Sequence, residues 1–311
     1  MNKPLLSICI PTYNRANYLI KSIESIICQD EFKTKKVEIV ISDNASTDDT
    51  ELIATNYASQ YENIFYFQNE KNINNNNFPL AISRGNGVLR RLCNDTLCFK
   101  EGSLKYICNI IERNIEEKPV ICWTNTGNKP DFKMMDFKNG IRNLSYRITA
   151  ISCFSIWDSD CNKIEKDTYG AELLLWQVRK TLELAYEKNK MAIISTALVF
   201  NQPVQNKDIS YGLYHVFYEN YFKLLNPYFE NGSLTYEDKD FLEKDLLFNF
   251  FLEWCVKWKL QSTTMQYSKT ESLQNRVYQK FCNKPYWKEY KRKYYILYWK
   301  TVIIKILKRG Y

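Results

Sequence analysis

Histidine is almost absent from this sequence of 311 residues, where His215 is the single example. A histidine-based catalytic mechanism or metal site is therefore not expected. No apolar run reaches the roughly 20 residues that a membrane-spanning helix needs. Residues 1–4 lead directly into a predicted strand, so no signal peptide is expected either.

The ten cysteines lack the paired spacing of a metal site. The closest two, Cys93 and Cys98, are separated by four residues. Cys9, Cys122 and Cys255 lie inside apolar runs, which is typical of buried free thiols. This pattern predicts a protein of the reducing cytosol.

The composition bounds the fold and the partners. Hydrophobic residues make up 45% of the chain and aromatic residues 15%, enough for a sizeable core in one large domain or a domain with an appendage. Residues 284–311 hold nine of the 43 basic residues and one of the 35 acidic residues, so this segment carries the whole net charge of +8. Such a distribution predicts a localised surface contact and argues against nucleic-acid binding.

The first fifty residues show the clearest pattern. Apolar runs at 5–10 and 37–41 each end in a polar loop, at 11–15 and 42–48, and a helical pattern follows each loop. This arrangement predicts a β-α-β unit. The carboxyl ends of its strands are where open α/β sheets bind ligands.

The strings ICIPTYNR (8–15) and SDNASTD (42–48) resemble glycosyltransferase family 2 in their residues, order and spacing. The resemblance implies an inverting enzyme with a GT-A fold, which is an α/β, Rossmann-like nucleotide-sugar domain. We assign this domain to residues 1–210 and a helical C-terminal region to residues 211–311, which ends in a basic amphipathic helix.

Periodicity and turn residues place the other elements. The Asn-rich stretch 71–77 is predicted to be a loop, and Ser46 with Asp49 forms a candidate capping box for the following helix. Strands are predicted at 63–67, 88–92, 120–123 and 192–200, and helices at 16–28, 78–83, 103–113, 171–187, 214–225, 236–259, 271–281 and 287–307.

The resemblance assigns the donor site to the first two strand ends. Asp43 stands where the family uses an acid against the nucleobase and ribose. Pro11, Thr12 and Tyr13 follow the neighbouring strand, and the Tyr13 ring can stack or form a hydrogen bond. A strand-to-helix turn with no ligand is the alternative for this segment.

Asp95 corresponds to the last carboxylate of the family's acidic motif after the fourth strand. The resemblance implies that it binds Mn²⁺ or Mg²⁺, which bridges the two phosphates of the leaving nucleotide. Few protein ligands are needed because phosphates and water complete the shell. Cys93 takes the first acidic position, and Asn94 is a further candidate for cofactor binding. A strand-ending turn aspartate is the alternative for Asp95.

Asn77 and Arg84 are the preferred donor-binding pair within the interval where the family has an Asn-rich loop and a basic residue. The planar guanidinium of arginine suits phosphate. Solvated loop residues are the alternative.

The resemblance implies a catalytic base that follows the irregular region 125–170 and opens a helix. Glu172 fits the second acid of the family's pair, with Ala171 at the first. The base must accept the proton of a sugar hydroxyl as its oxygen attacks the anomeric carbon. Asp167 and Asp158 are alternative bases, and a glutamate placed only for helix stability is the other interpretation.

The basic tail carries a separate prediction. As a helix, residues 295–307 form an apolar, aromatic-rich stripe, with lysines largely on the other side. Such a helix is typical of one lying on an anionic membrane surface. A helix packed on the body with a solvated basic edge is the alternative.

These patterns predict a hexosyl- or N-acetylhexosaminyl-transferase that moves a sugar from a nucleotide donor, UDP-linked, to a hydroxyl of a glycan. The acceptor is expected to be lipid-linked, at the cytoplasmic face of a bacterial membrane, in surface polysaccharide synthesis. Two alternatives remain: a sugar-nucleotide-binding module that has lost catalysis, and a membrane-surface scaffold that binds no nucleotide.

Overall fold

The computed structural model describes residues 3–127, 131–164, 169–204, 207–260, 265–266 and 272–309. The chain divides into two compact units, Met1–Pro203 and Val204–Tyr311. The division predicted after residue 210 lies within the second unit.

The strands of the first unit fall into three sheets, of five, three and two described strands. They are β1 (Leu6–Thr12), β2 (Val37–Asp43), β3 (Ile64–Gln68), β4 (Leu89–Leu92), β5 (Leu97–Phe99), β6 (Val120–Gly127), β7 (Phe132–Met135), β8 (Ser155–Trp157), β9 (Met191–Thr196) and β10 (Val199–Asn201).

Helices connect most of these strands, and short 3-10 turns occupy the irregular segments. The helices are α1 (Ala16–Ile27), α2 (Asp30–Lys33), α3 (Thr50–Gln60), α4 (Asn77–Ser83), α5 (Ser103–Asn114), α6 (Phe137–Leu144), α7 (Tyr169–Glu172) and α8 (Trp176–Lys188). The 3-10 turns are Asn74–Asn76, Ser145–Thr149, Ile151–Cys153 and Asp158–Lys163.

The five-stranded sheet has the order β3-β2-β1-β4-β8. The first four of these strands are parallel, and β8 pairs antiparallel to β4. From β1 the chain adds β2 and β3 on one side, and β4 then pairs on the other side of β1. The order therefore reverses between β1 and β4, which makes their carboxyl ends a switch point where open α/β sheets bind ligands.

The core of this unit follows from strands that are apolar on both faces. All seven residues of β2 are buried, as expected for a parallel strand covered by helices. The apolar face of α1 packs into this core, because Leu19, Ile23 and Ile26 are fully buried. In α3, by contrast, Leu52 is 71% exposed, so this helix packs through few apolar residues.

A close backbone approach aligns the start of β4. A Cβ atom at Gly87 would lie 2.5 Å from the amide nitrogen of Ser7, so only glycine fits there. The Gly87 amide donates to Ser7 Oγ over 2.7 Å, and that hydroxyl donates to the buried Glu38 over 2.6 Å. These contacts fix β4 against β1 and so position the residues that follow β4.

The predicted buried thiols are confirmed. Cys9, Cys122 and Cys255 are buried, and none of the three is in a disulfide. Burial raises the pKa of the Cys9 thiol well above its usual value, which keeps it protonated and unreactive.

The second unit is mainly helical. The predicted helical character of residues 211–311 is confirmed where the structure describes them, with one short exception: β12 (Met265–Gln266) pairs in parallel with β11 (Lys207–Asp208). Single π-helical turns at His215–Asn220 and Leu247–Phe251 lead directly into helices. The helices are α9 (Tyr221–Glu230), α10 (Tyr236–Leu246), α11 (Leu252–Lys259), α12 (Leu273–Phe281) and α13 (Trp287–Arg309).

Candidate functional site

The carboxyl ends of β1, β2 and β4 meet at one edge of the five-stranded sheet. Thr12 lies opposite Asp43 in the strand register, and Thr12 Oγ1 donates a 3.0 Å hydrogen bond to Asp95 Oδ2. Three residues that the sequence singled out for donor binding are therefore neighbours. They lie at the switch point of the sheet, where a ligand is expected.

Asp43 is fully buried and already hydrogen bonded. Its Oδ1 accepts a 3.0 Å bond from the Ser46 amide, and its Oδ2 accepts a 2.9 Å bond from the Tyr66 hydroxyl. Burial first, and then this hydrogen bond, raise the pKa of the Tyr66 phenol, so it stays a donor. A carboxylate oxygen can accept a further bond, but a nucleobase would reach Asp43 only if the surrounding side chains moved.

The loops after β1 and β2 are tied together by side chains. Asn14, which has a φ of 51°, accepts a 2.7 Å bond from the Thr47 amide and donates its own amide to Ser46 Oγ over 2.9 Å. Asp48 accepts from the amides of Ala16 and Thr50, each over 3.1 Å, and so caps both α1 and α3. The two loops therefore form one rigid rim.

The predicted capping box of Ser46 and Asp49 is wrong. The Ser46 hydroxyl donates to Asp43, and Asp49 makes no side-chain cap at the start of α3. Asp48 caps α3 instead, because its Oδ1 accepts from both the amide and the hydroxyl of Thr50.

The Asn-rich stretch is organised around Asn44. The Asn44 amide donates to Asn72 Oδ1 over 2.8 Å, and its Oδ1 accepts from the Ile73 amide over 2.9 Å. The loop predicted over 71–77 contains the 3-10 turn Asn74–Asn76 and the start of α4. These bonds hold the stretch against the end of β2.

Asn77 and Arg84 occupy one hydrogen-bond network with Ser42. Asn77 is 2% exposed; its Oδ1 accepts from Ser42 Oγ over 2.6 Å, and its Nδ2 donates to Ser42 O over 2.8 Å. The Arg84 guanidinium donates to Ser42 Oγ over 2.6 Å and to Asn69 Oδ1 over 2.9 Å. The Asn77 side chain is thus fully engaged in holding Ser42 in place. Arg84, by contrast, has guanidinium N–H groups that are not used in these two bonds.

The Arg84 guanidinium also lies over the Phe67 ring, 5.0 Å from its centroid. Burial lowers the pKa of Arg84, yet its ordinary value is so high that it remains charged. No carboxylate within 4.0 Å pairs with it in the part of the chain that the structure describes. This positive charge is therefore available to a phosphate.

Asp95 sits in a less polar setting than an ordinary strand-ending aspartate. Burial raises the pKa of its carboxyl to about 6, although the positive charge of Arg15 and the hydrogen bond from Thr12 both lower it. The carboxyl of Asp95 is therefore ionised at neutral pH, but its pKa lies close to the physiological pH range. A perturbed carboxylate at a switch point is typical of a functional site.

The first acidic position of the family's motif, which Cys93 occupies, offers no metal ligand. Cys93 is 1% exposed, and burial raises the pKa of its thiol to about 11. Asn94 is half-buried, and its carbonyl accepts from the Leu97 amide over 3.1 Å in a turn. Among the described residues, no three His, Cys, Asp or Glu side chains cluster as a metal site.

The donor set nevertheless fits a hard cation. Asp95 offers a carboxylate, while Thr12 and Asn94 add hydroxyl and amide oxygens close by in the fold or the chain. Mg²⁺ and Mn²⁺ accept such oxygen ligands and are commonly held by one carboxylate together with phosphates and water.

Pro11 and Tyr13 flank Thr12 at the end of β1. Pro11 is half-buried within the strand, and Tyr13 is 43% exposed. The exposed ring of Tyr13, next to Thr12 in the chain, offers a flat surface for a nucleobase.

The helix predicted over 171–187 is divided in two. α7 ends at Glu172 and α8 begins at Trp176, because Leu174 has a φ of 60° and cannot continue an α-helix. Glu172 is exposed in this one short turn and does not open the long helix as predicted. Cα atoms of α7 come within 8 Å of the turn Asn74–Asn76, so Glu172 belongs to a segment that borders the site.

Of the two alternative bases, Asp158 lies away from the site. The Asp158 amide donates to Val88 O over 2.9 Å, which places Asp158 at the amino end of β4, opposite Asp95. Burial raises the pKa of Asp158, but hydrogen bonds from Lys3 and Arg90 lower it below its usual value. This placement disfavours Asp158 as the base. Asp167 lies outside the described residues.

Sequence reasoning missed three residues of the site. The positive charge of Arg15 lowers the pKa of Asp95, and Asp48 caps the helices that follow both loops. The Tyr66 hydroxyl donates a hydrogen bond to Asp43. Arg15 and Asp48 lie within or next to the strings that carry the resemblance, so their position was a usable signal. Tyr66 gave none, because it reads as an ordinary residue of a β-strand.

Comparison with solved structures identifies the class of fold. The fragment 1-349 of S. aureus TarS matches with a TM-score of 0.55 and 19% identity, over 82% of this chain and 76% of that chain. The same fragment in complex with UDP matches equally well. The protein has the GT-A glycosyltransferase fold, as the sequence predicted.

A family model matches part of the sequence. Residues 7–136, which are 130 of the 311 residues, match the model described as Glycosyl transferase family 2. This segment runs from the second residue of β1 through β7 and therefore contains both loops of the site. The resemblance of the strand-end motifs to this family is confirmed over that segment.

Two curated glycosyltransferases match part of the chain. Abequosyltransferase RfbV of Salmonella typhimurium is 44% identical over 85 residues, which are 27% of this chain and 25% of the relative. GalNAc(5)-diNAcBac-PP-undecaprenol beta-1,3-glucosyltransferase of Campylobacter jejuni is 42% identical over 67 residues, 22% of this chain and 21% of the relative. The matched segments thus span about a quarter of these relatives.

Proposed function

We propose that this protein is an inverting glycosyltransferase that uses a UDP-sugar. The observation that carries the proposal is the bond between Thr12 and Asp95 at the switch point, beside the exposed ring of Tyr13. The match of residues 7–136 to the glycosyltransferase family 2 model and the glycosyltransferase names of the relatives support the activity. TarS structures in complex with UDP and UDP-GlcNAc support the choice of nucleotide, and with it transfer of a hexose or N-acetylhexosamine.

In this proposal each charged group has one role. Asp95, with Asn94 and Thr12, would hold Mn²⁺ or Mg²⁺, which neutralises the charge that develops on the departing diphosphate. Arg15 and Arg84 supply further positive charge toward the phosphates. Tyr13 stacks on the base, and Asp43 orders the Ser46 loop around it.

Glu172 is the proposed general base. Its carboxylate takes the proton of the acceptor hydroxyl while that oxygen forms a bond to the anomeric carbon. The bond from that carbon to the diphosphate oxygen breaks in the same step, and its electron pair leaves with UDP. Attack from the face opposite the leaving group inverts the anomeric configuration.

A thermal-shift panel of UDP, GDP, CDP and dTDP, with and without Mn²⁺, tests donor binding. We expect UDP with Mn²⁺ to stabilise the protein by ~2–3 kcal/mol at about a hundredfold excess over Kd, because the ligand binds only the folded state. If only another nucleotide raises the thermal stability, that nucleotide would take the place of UDP in the proposal. No shift with any nucleotide would contradict the proposed function.

We propose that the acceptor is lipid-linked and that α13 lies on the cytoplasmic face of a membrane. The name of the Campylobacter relative includes an undecaprenol-linked glycan, which supports this setting. Within the described residues no helix has the length and apolar character of a membrane span. Along α13, however, large apolar side chains stay more than half exposed: Tyr295, Ile296, Trp299, Ile303, Ile306 and Leu307.

This exposure along residues 295–307 favours a surface helix for the second half of α13, whereas its first half packs on α11 and α12. The lysines of the same segment would contact anionic headgroups, each contributing about 1 kcal/mol. Lys300 and Lys305 have no ion-pair partner within 4.0 Å among the residues described, so they are free to do so.

Co-sedimentation with vesicles tests the surface helix. Because two lysines contribute about 2 kcal/mol, replacing Lys300 and Lys305 by alanine should lower partitioning onto phosphatidylglycerol vesicles about 30-fold. The matched control replaces Lys33 and Lys36 in the first unit, which should change little. Equal binding to neutral phosphatidylcholine vesicles, or no binding at all, would contradict the proposal.

A further inference from the structure

Aromatic rings form a continuous row along one face of α13. Trp287 stacks on Tyr290 with centroids 5.0 Å apart and an interplanar angle of 19°. Tyr290 stacks on Tyr294 at 6.5 Å and 28°, and Tyr294 on Tyr298 at 6.3 Å and 20°. The four residues recur every three or four positions, so the row runs about 16 Å along the helix.

This row forms one wall of a groove in the second unit. The groove has a volume of about 470 Å³, and α11 and α12 form its other walls. Tyr278 of α12 meets Trp287 edge to face at 5.8 Å and is 58% exposed. Tyr295 on the opposite side is 59% exposed. Part of the aromatic surface is therefore open to a ligand.

The polar groups of the groove are amides, phenols and amines. Gln274 donates to the Tyr294 hydroxyl over 2.6 Å and fixes that ring, and Asn275 lies beside it. Lys259 and Lys291 also line the groove, and neither has an ion-pair partner within 4.0 Å among the described residues. None of the described lining residues is acidic.

We propose that this groove binds an anionic oligosaccharide. The inference rests on the proposed function, because a glycosyltransferase handles a glycan as well as a nucleotide. The exposed rings of Tyr278 and Tyr295 can contact the C–H faces of sugars, while amides and phenols match sugar hydroxyls. The two unpaired lysines match carboxylate or phosphate groups on the chain.

The same chemistry argues against the other occupants of an aromatic groove. A single-stranded nucleic acid needs a basic groove that follows its phosphates, and this groove offers two lysines. An aliphatic lipid chain would offer no partner to the Asn275 amide, to the exposed hydroxyls of Tyr278 and Tyr295, or to the two lysines. An acidic glycan satisfies both the rings and the polar groups.

Isothermal titration of the full chain with trigalacturonate, and with maltotriose as the neutral match, tests the groove. We expect binding of trigalacturonate that falls about tenfold or more when Tyr278 and Tyr295 are both replaced by alanine. Both side chains are largely exposed, so the fold should tolerate the change. Tyr236→Ala, at a tyrosine that is 89% exposed and does not line the groove, is the matched control.

A second variant tests the charge. Replacing Lys259 and Lys291 by glutamine should remove the preference for trigalacturonate over maltotriose and leave the UDP-induced thermal shift intact. No binding of either sugar, or binding that the groove variants leave unchanged, would overturn the inference while a UDP shift persists. Preferential binding of oligo(dT), lost in the same variants, would also overturn it. If trigalacturonate binds to the groove but no nucleotide stabilises the protein against heat, the proposed function is contradicted while the inference of a sugar-binding groove is kept.

Discussion

Asp95→Asn should abolish the stabilisation that UDP gains from Mn²⁺ and lower sugar transfer by about 10²–10³-fold, the range seen when one stabilising group is removed from a transition state. The amide keeps the shape of the side chain and can still accept from Thr12. It carries no charge, so it binds a hard cation weakly. The loss should therefore appear in the metal-dependent part of the thermal shift.

The pH dependence gives the same prediction a second measurement. Burial raises the pKa of Asp95 to about 6, so the carboxyl loses its charge as the pH falls from 7 to 5. We expect the Mn²⁺-dependent shift to weaken over that interval in the wild type. In the metal-free protein, the raised pKa makes the folded state bind more protons than the unfolded state between about pH 4 and 6. Its contribution to the free energy of unfolding therefore falls as the pH rises through this window, and Asp95→Asn should remove that slope.

Asp49→Asn is the matched control, since Asp49 is an exposed aspartate at the start of α3 that makes no side-chain cap. It should leave the nucleotide shift and its pH profile unchanged. An Asp95→Asn protein that still responds to Mn²⁺ like the wild type would exclude Asp95 as the metal ligand.

Local periodicity was enough to predict the half of the fold that forms the site. β1, α1 and β2 follow directly from two apolar runs and one amphipathic face. The β-α-β pattern also placed Thr12 and Asp43 at the ends of neighbouring strands, and the family resemblance added Asp95 to the same donor site. The structure adds the register and the hydrogen bond that joins them.

The irregular region 125–170 could not be predicted in this way. β8 consists of three residues, Ser155–Trp157, and is held by antiparallel pairing with Leu89–Arg91, far away in the sequence. α6 covers eight residues and owes its start to Asp136, which accepts from the Asn139 amide. Such short elements form because tertiary partners hold them, so their own sequence carries little periodic signal.

The roles of single polar residues were hardest to predict. Asn77 and Arg84 look alike in the sequence as polar residues between two apolar segments. Only the structure shows that Asn77 spends both ends of its amide on Ser42, whereas Arg84 keeps donors free. A sequence indicates which groups are present, but the hydrogen-bond partners decide which of them remain available to a ligand.

Glu172→Gln should separate catalysis from binding. If Glu172 is the base, glutamine cannot take the acceptor proton, and transfer should fall by about 10²–10⁴-fold. The UDP-induced thermal shift should stay at its wild-type value, because Glu172 does not contact the donor in this proposal. The measurement is UDP release from the UDP-sugar that stabilises the protein, with a panel of oligosaccharide acceptors.

The matched control is Glu187→Gln, a change at an exposed glutamate of α8 that pairs with Lys163 and costs little when lost. Transfer by Glu172→Gln at the level of this control would exclude Glu172 and leave the base to another acid. A wild type that binds UDP with metal yet releases none with any acceptor would instead favour the sugar-nucleotide-binding module without catalysis. Cys93 would then account for the lost catalysis, because its buried thiol stands at the first acidic position of the family's motif.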